Sequence, residues 1–149
     1  MEQCCANVLG GLVILWKQSD GPIQFNKVLG DDSDSDDTDR KEFWSPVSQF
    51  RAMDGEDVYD LAWSPCSKFI ALGLTDNTTQ VWEIATSKMI RCLKDHQHFV
   101  QGVAWDPLDQ LLVTQSSDRS VKIWTIRQRQ PPQFVSVAKI TKTEGKWIV

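Results

Sequence analysis

His96, Thr114 and Asp118 are the residue types from which hydrolases build a base, a nucleophile and an orienting acid. Trp124, six positions after Asp118, changes that reading. An indole N–H can only donate, and when buried it needs an acceptor. A threonine hydroxyl can accept from it and pass its own proton on toward His96 and Asp118. No nucleophile elbow, oxyanion glycines or second hydroxyl accompanies them as an acyl-transfer apparatus would require. We read the four residues as a structural hydrogen-bonded tetrad. No catalytic residue and no enzyme activity are expected.

Metals and cofactors fare no better. His98 stands near His96, but two histidines without a cysteine or carboxylate in ligand spacing do not make a site. Cys4 and Cys5 are adjacent, Cys66 and Cys92 are isolated, and no CxxC pair exists. They read as reduced cysteines that pack as small hydrophobes. Gly10-Gly11 is an isolated pair opening a strand, not a phosphate loop. Basic and aromatic residues are not interleaved as RNA recognition requires. No cofactor, metal, small-molecule ligand or sequence-specific nucleic-acid contact is expected.

The elements that must hold these residues emerge from internal repetition. Laying Asp57–Ile84 over Phe99–Ile126, a shift of 42, superposes Val58 on Val100, Ala62 on Ala104, Trp63 on Trp105 and Pro65 on Pro107. Asp76 then meets Asp118, Trp82 meets Trp124 and Ile84 meets Ile126. Each unit reads as short strands. DVYDLAW and FVQGVAW end at Ser-Pro or Asp-Pro turns. FIALGL and LLVTQS follow as buried strands, and Asp-Asn or Asp-Arg turns lead to TTQVWEI and SVKIWTI. A fourth strand, MIRCLK in one unit and QFVSVAKI in the other, would lie outermost. Four strands in about 40–45 residues, with a recurring Trp, is the arithmetic of a WD40 propeller blade. In the earlier unit Asp76 and Trp82 keep register, but Leu72 replaces the hydroxyl and Asp54 the histidine. This tetrad is degenerate, so its blade should lean on apolar packing. Losing the Trp82 N–H should cost less than losing that of Trp124.

Upstream, GLVILWKQ reads as a strand of a preceding blade with Trp16 equivalent to Trp82. Those two residues are 66 apart, 24 more than one repeat. The excess holds DDSDSDDTD, which is too charged to pack and reads as a flexible loop. WSPVSQF (44–50) then resumes as the outer strand of the next blade. The division expected is a strand of an upstream blade at 8–18, an acidic insertion at 19–43, and a blade at 44–88. A second blade with its outer strands follows at 89–140, and a basic tail at 141–149. Trp147 lies 42 after Trp105, but Lys142 and Lys146 occupy that unit's apolar positions, so the match is accidental. The fold expected is all-β, a partial WD40 propeller of two four-stranded blades plus one strand of a third.

With 149 residues the chain fits one domain or part of a larger one. The net charge of −4 conceals an asymmetry, because residues 31–39 hold six aspartates while the segment from Arg119 onward is basic. Such segregation often accompanies a basic or nucleic-acid-related partner, and solvation alone also explains it. No apolar run has the ~18 residues a membrane span needs, and Val8–Trp16 lacks the flanks of a signal peptide. An intracellular, soluble, non-membrane protein is expected.

GGLVILWK, GEDVYDLAWSP, TDNTTQVWEI, DHQHFVQGVAWDPL and SSDRSVKIW together resemble the family of WD40 middle subunits of chromatin assembly factor 1. The resemblance spans roughly Gly10 to Val137. It implies a scaffold without catalysis in a nuclear complex that deposits histones H3 and H4 on newly replicated or repaired DNA. The partners implied are those histones, directly or through other subunits, and the large and small subunits of the complex. Such a family has about seven blades, of which this chain would hold two and a third. The nearest cousin, the HIRA-type replication-independent histone chaperone, would show another first-strand motif soon after Trp124. A generic WD40 adaptor, such as a ubiquitin-ligase substrate receptor, is the alternative from another class.

For either reading the partner surface would be a rim, not a pocket. Glu56, Asp57 and Tyr59 begin one first strand, Phe99 and Gln101 the next, and Thr75 and Ser117 precede the turn aspartates. In a propeller these cluster at one end of the channel, where exposed Tyr and Phe make good anchors. Packing between blades is the plainer role for both rings. Ser33, followed by acidic residues, suits an acidophilic kinase, and Asp31–Asp39 offers a second, electrostatic route to histones.

Overall fold

The computed structural model describes residues 4–19, 43–127, 133–143 and 146–148. Ser33, Asp31–Asp39 and the rest of 20–42 lie outside the described residues. Among the described residues twelve strands run in chain order. They are β1 (Cys4–Leu9), β2 (Leu12–Ser19), β3 (Phe43–Arg51), β4 (Val58–Trp63), β5 (Phe69–Leu74) and β6 (Thr78–Glu83). Then come β7 (Lys88–Lys94), β8 (Val100–Trp105), β9 (Leu111–Ser116), β10 (Ser120–Arg127), β11 (Gln133–Thr143) and β12 (Lys146–Ile148). They form three sheets, ordered β1-β2-β3, β4-β5-β6-β7 and β12-β11-β10-β9-β8, with every neighbouring pair antiparallel.

The turns form where the sequence supplies the backbone they need. Ser64 N and Asp106 N donate to the carbonyls of Phe69 and Leu111, closing the Ser-Pro and Asp-Pro turns. Ser67 and Asp109 take positive φ there, as do Asn77 and Arg119 in the two turns that follow the aspartates. The β1–β2 turn uses Gly10 at φ +59.

Three expected boundaries are corrected. Residues 44–50 lie in β3, which pairs with β2 rather than with the following blade, so the upstream unit has three strands instead of one. The reason is competition. The free side of β6 is taken by β7, which a short turn delivers to it, so β3 is left to the sheet it follows. Residues 89–94 pair with β6, as expected of MIRCLK as a fourth strand, so the boundary drawn at 88/89 moves to the end of β7. Where a basic tail was expected at 141–149, β11 runs through Thr143 and residues 146–148 form β12, which folds back onto it as a fifth strand, pairing Lys142 with Trp147.

Two apolar seams join the sheets. Val13, Leu15, Phe50 and Ala52 of the first sheet and its exit pack against Ile70, Leu72, Leu74 and Trp82. Phe50 stacks on Trp82 with ring centroids 4.5 Å apart. On the opposite face of the middle sheet Ala71, Val81 and Leu93 pack against Leu112 and Trp124. Both faces of β5 are therefore buried, which is why FIALGL is a continuous apolar run rather than an alternating one. Each fully buried aliphatic side chain contributes roughly 1.5–3 kcal/mol. A hydrogen bond contributes a net of about 1 kcal/mol. Apolar burial holds the seams together, and polar links set their register.

Those polar links are specific. Asp60 Oδ2 accepts from Val103 N at 2.9 Å, and Trp105 Nε1 donates to Ala62 O at 2.9 Å, tying β4 to β8. Ala52 N donates to Gly11 O at 2.8 Å, extending the β2–β3 pairing, and Val58 N donates to Gly10 O, tying the first sheet to the middle one. A Cβ on Gly11 would lie 2.5 Å from Glu56 O, a backbone atom that cannot step aside.

Gly11→Ala should therefore lower stability by roughly 1–3 kcal/mol through overpacking. Gly55→Ala carries only the left-handed penalty at φ +72, about 1 kcal/mol, since nothing lies within 4 Å of its added methyl. Urea unfolding followed by tryptophan fluorescence should rank Gly11→Ala as the costlier. Equal midpoints would show that the two sheets do not approach so closely.

Candidate functional site

The turn after β7 brings His96 against the second seam, facing β9 and β10. His96 Nε2 lies 2.8 Å from Thr114 Oγ1, and Nδ1 lies 3.0 Å from Asp118 Oδ2. Trp124 Nε1 donates to Thr114 Oγ1 at 3.0 Å. One assignment satisfies every group. The indole donates to the hydroxyl, the hydroxyl donates to Nε2, and a neutral imidazole donates from Nδ1 to the carboxylate. The His96 side chain is only 2% exposed and Thr114 is fully buried. The hydroxyl oxygen, already an acceptor, sits inside the seam with no approach for a substrate carbonyl.

Asp118 does more than orient the ring. Its Oδ1 accepts from Ser120 N and Ser120 Oγ, and its Oδ2 accepts from Gln97 N. Burial opposes its ionisation, but these bonds and that from His96 prevail and hold the carboxyl well below the usual carboxylate range. Burial also lowers the pKa of His96, against the pull of the Asp118 hydrogen bond and charge, and Lys122 adds to the lowering. A proton on Nε2 would also leave the Thr114 hydroxyl facing two donors.

The structure brings together residues that spacing alone did not single out. Lys122, buried in β10, donates to Asp95 O and pairs with Asp95 Oδ2 at 2.5 Å, pinning the loop that carries His96. Gln80, at the equivalent register position in β6, serves the neighbouring blade. Its Oε1 accepts from Trp82 Nε1 at 3.1 Å and from Met53 N at 3.2 Å. Leu72 packs in the first seam, and Asp76 Oδ1 accepts from Thr78 N and Oγ1. The Asp54 side chain lies outside the described residues. Leu72 offers no hydroxyl, as expected, but the reason for expecting a cheaper loss of the Trp82 N–H falls, because Gln80 supplies the acceptor that Leu72 cannot. The signal was present in the sequence: Gln80 and Lys122 are the polar residues two positions before each tryptophan.

The rim residues gather at one end of β4, β5, β8 and β9. Thr75 N donates to Asp57 O and Ser117 N to Phe99 O, closing equivalent corners of the two blades. Thr75 Oγ1 donates to Glu56 Oε2 at 2.9 Å. Tyr59 and Gln101 are each the extra residue of a bulge, since pairing passes from Val58 to Asp60 and from Val100 to Gly102. Tyr59 is 57% exposed and Phe99 38%, and the two rings stack across the blades at 5.9 Å with planes 11° apart. They pack on each other and still face solvent.

Successive antiparallel sheets packed face on face, with the first strands β4 and β8 of two of them side by side, define a segment of a β-propeller. The family model for the CAF1B/HIR1 beta-propeller domain matches residues 9–148, and the chain belongs to that family. It is 36% identical over 124 residues to the B subunit of chromatin assembly factor 1 from Saccharomyces cerevisiae, covering 78% of this chain and 26% of the relative. The corresponding protein of Gallus gallus is 31% identical over 124 residues, covering 80% and 20%. Protein HIR1 of Cryptococcus neoformans is 47% identical over 68 residues, 46% of this chain and 8% of that one. The chain thus spans about a quarter or less of the length of these relatives. A chain in the crystal structure of the mitotic checkpoint complex superposes with a TM-score of 0.62 at 13% identity, covering 94% of this chain and 35% of that one. That likeness is one of fold alone.

Two outcomes follow from the buried polar groups. Gln80→Leu strands the Trp82 and Met53 N–H groups and should cost roughly 1–3 kcal/mol per unpaired group. Adding Trp82→Phe should cost less than the two single losses summed, because one orphan donor disappears with its acceptor; denaturant melts of the double-mutant cycle check this.

The second outcome concerns pH. Above the ordinary imidazole value of 6.5, His96 is neutral in both folded and unfolded chains and adds no pH dependence. Below it the unfolded chain takes up a proton that the folded one resists, so stability falls with pH. Asp118 adds a loss of the same sign only as pH falls through 3.8 and below. The melting temperature should drop between pH 7.5 and 5.5, and His96→Gln should remove much of that slope. A slope unchanged in His96→Gln would assign the effect elsewhere.

Proposed function

We propose that this chain acts as a non-catalytic propeller scaffold in a nuclear chromatin assembly complex that deposits histones H3 and H4 on newly replicated or repaired DNA. Membership of the CAF1B/HIR1 family over residues 9–148 is the observation that carries the reading. The burial of the tetrad's hydroxyl, imidazole and carboxylate supports a role in stability rather than chemistry. In this reading the partner surface is the rim of Glu56, Asp57, Tyr59, Thr75, Phe99, Gln101 and Ser117. The partners are the large and small subunits of the complex and, directly or through them, the two histones. Phosphorylation at Ser33 would tune the acidic insertion by adding negative charge. The 47% identity to protein HIR1 favours one second reading, the replication-independent assembly route.

Affinity purification of the tagged full chain from its own cells, with mass spectrometry, separates these readings. Co-purifying subunits of chromatin assembly factor 1, together with H3 and H4, are expected. HIR-complex subunits in their place would establish the second reading. Capture of neither set, from a chain that melts cooperatively, would overturn both.

A further inference from the structure

Six large apolar side chains are strongly exposed among the described residues, and four of them, Leu9, Met53, Tyr59 and Phe99, lie at one end of the strands. Val58 N bonds to Gly10 O beside Leu9, and Ala52 N bonds to Gly11 O beside Met53, so the line crosses all three sheets. Its most exposed ring, Tyr59, is fixed in orientation. It occupies a bulge, stacks on Phe99, and is followed by Asp60, whose two carboxylate oxygens accept from Leu61 N and Val103 N. A ring held this way needs little further ordering when it meets a partner.

Charge of both signs stands at this end, and the carboxylates just before Tyr59 in the chain lead into its own strand. Glu56 and Asp57 stand on the Tyr59 side, and Asp57 packs against the Gly10 turn. Of the basic groups at this end, Arg51 ends β3 on the first sheet, Lys94 closes β7 on the middle one, and His98 and Arg119 stand on the last, with His98 edge-on to Phe99. An apolar partner would leave the carboxylates without complement, and an acidic one would face them directly. A cation over the open face of Tyr59 would meet both the ring quadrupole and the neighbouring carboxylates.

We propose that this rim receives an extended peptide segment that places an arginine or lysine side chain over Tyr59, beside Asp57, with apolar neighbours along Met53 and Phe99. The inference rests on reading the rim as the partner surface, and it names the chemistry that surface selects. The planar guanidinium, able to stack and to fork onto a carboxylate at once, fits better than an ammonium.

Tyr59 is the one tyrosine of the sequence, so 3-fluorotyrosine labelling gives a single fluorine resonance at the site. The labelled full chain is titrated with a short Gly/Ser peptide bearing two arginines, with its two-lysine counterpart, and with its two-glutamine counterpart. A saturable shift is expected with arginine, a weaker one with lysine and none with glutamine. Asp57→Asn and Phe99→Ala should each weaken the arginine peptide by about two- to fivefold, the scale of one exposed cation–π or charge contact. Asp57 is exposed and its change to Asn is isosteric, so this variant keeps the test open if Phe99→Ala unfolds. Deleting residues 31–39 should leave the shift in place. The proposal is overturned if the glutamine peptide gives the same shift, if the arginine peptide gives none, if Asp57→Asn has no effect, or if deleting 31–39 abolishes the response. Because the peptides are synthetic, failure here is distinct from failure to co-purify with chromatin assembly subunits.

Discussion

A sheet that is apolar on both faces cannot stand alone in water, and the middle sheet of this protein is such a sheet. Leu72 faces one neighbour and Ala71 the other, both fully buried, and the same alternation sends Trp82 into the first seam and Val81 into the second. The first and last sheets are positioned by the need to cover those faces. Close approach then dictates the small residues: Gly73 lies against Val100, where an added Cβ would sit 3.0 Å from a side-chain and a backbone atom. Gly11 answers the same demand at the other seam.

Burial on that scale traps polar groups, and the structure finds acceptors for the indoles of both seams. Each seam encloses an indole N–H, and each blade answers with a different acceptor: the Thr114 hydroxyl in one, the Gln80 amide oxygen in the other. The first solution needs His96 and Asp118 to complete it, which ties the loop before β8 to the turn before β10. The second needs only the Met53 N–H, which ties the exit of the first sheet to β6. An arrangement of hydroxyl, imidazole and carboxylate that resembles a catalytic triad on paper is, in space, a brace. Two of the apolar groups left facing water, Tyr59 and Phe99, lie at the bulged ends of β4 and β8.

Much of this was legible in the residues. The shift of 42 located β4–β6 and β8–β10 and set the tetrad positions, because buried tryptophans and turn aspartates recur only where the geometry recurs. What escaped was pairing. Nothing local in WSPVSQF says whether it completes the sheet before it or the one after; that is decided by β7 having occupied the edge of β6. Gln80 escaped for a related reason. A comparison keyed to His, Thr, Asp and Trp marks its blade as lacking an acceptor, whereas satisfying the indole requires only that some oxygen reach it. Asp60 was visible within EDVYD, yet its bond to Val103 N spans two blades and has no signature in spacing.

Native-state hydrogen exchange, read at the backbone amides of β5 and at the indole N–H groups of Trp82 and Trp124, tests most directly whether the two seams form one cooperative core. If the middle sheet is held from both sides and the indoles are locked by Gln80 and Thr114, all three sets should exchange only through the same global opening, with a common free energy and a common denaturant dependence. Exchange of the Trp124 indole through a low-energy local opening, while the β5 amides stay protected, would show that the tetrad only decorates the seam and would contradict the account.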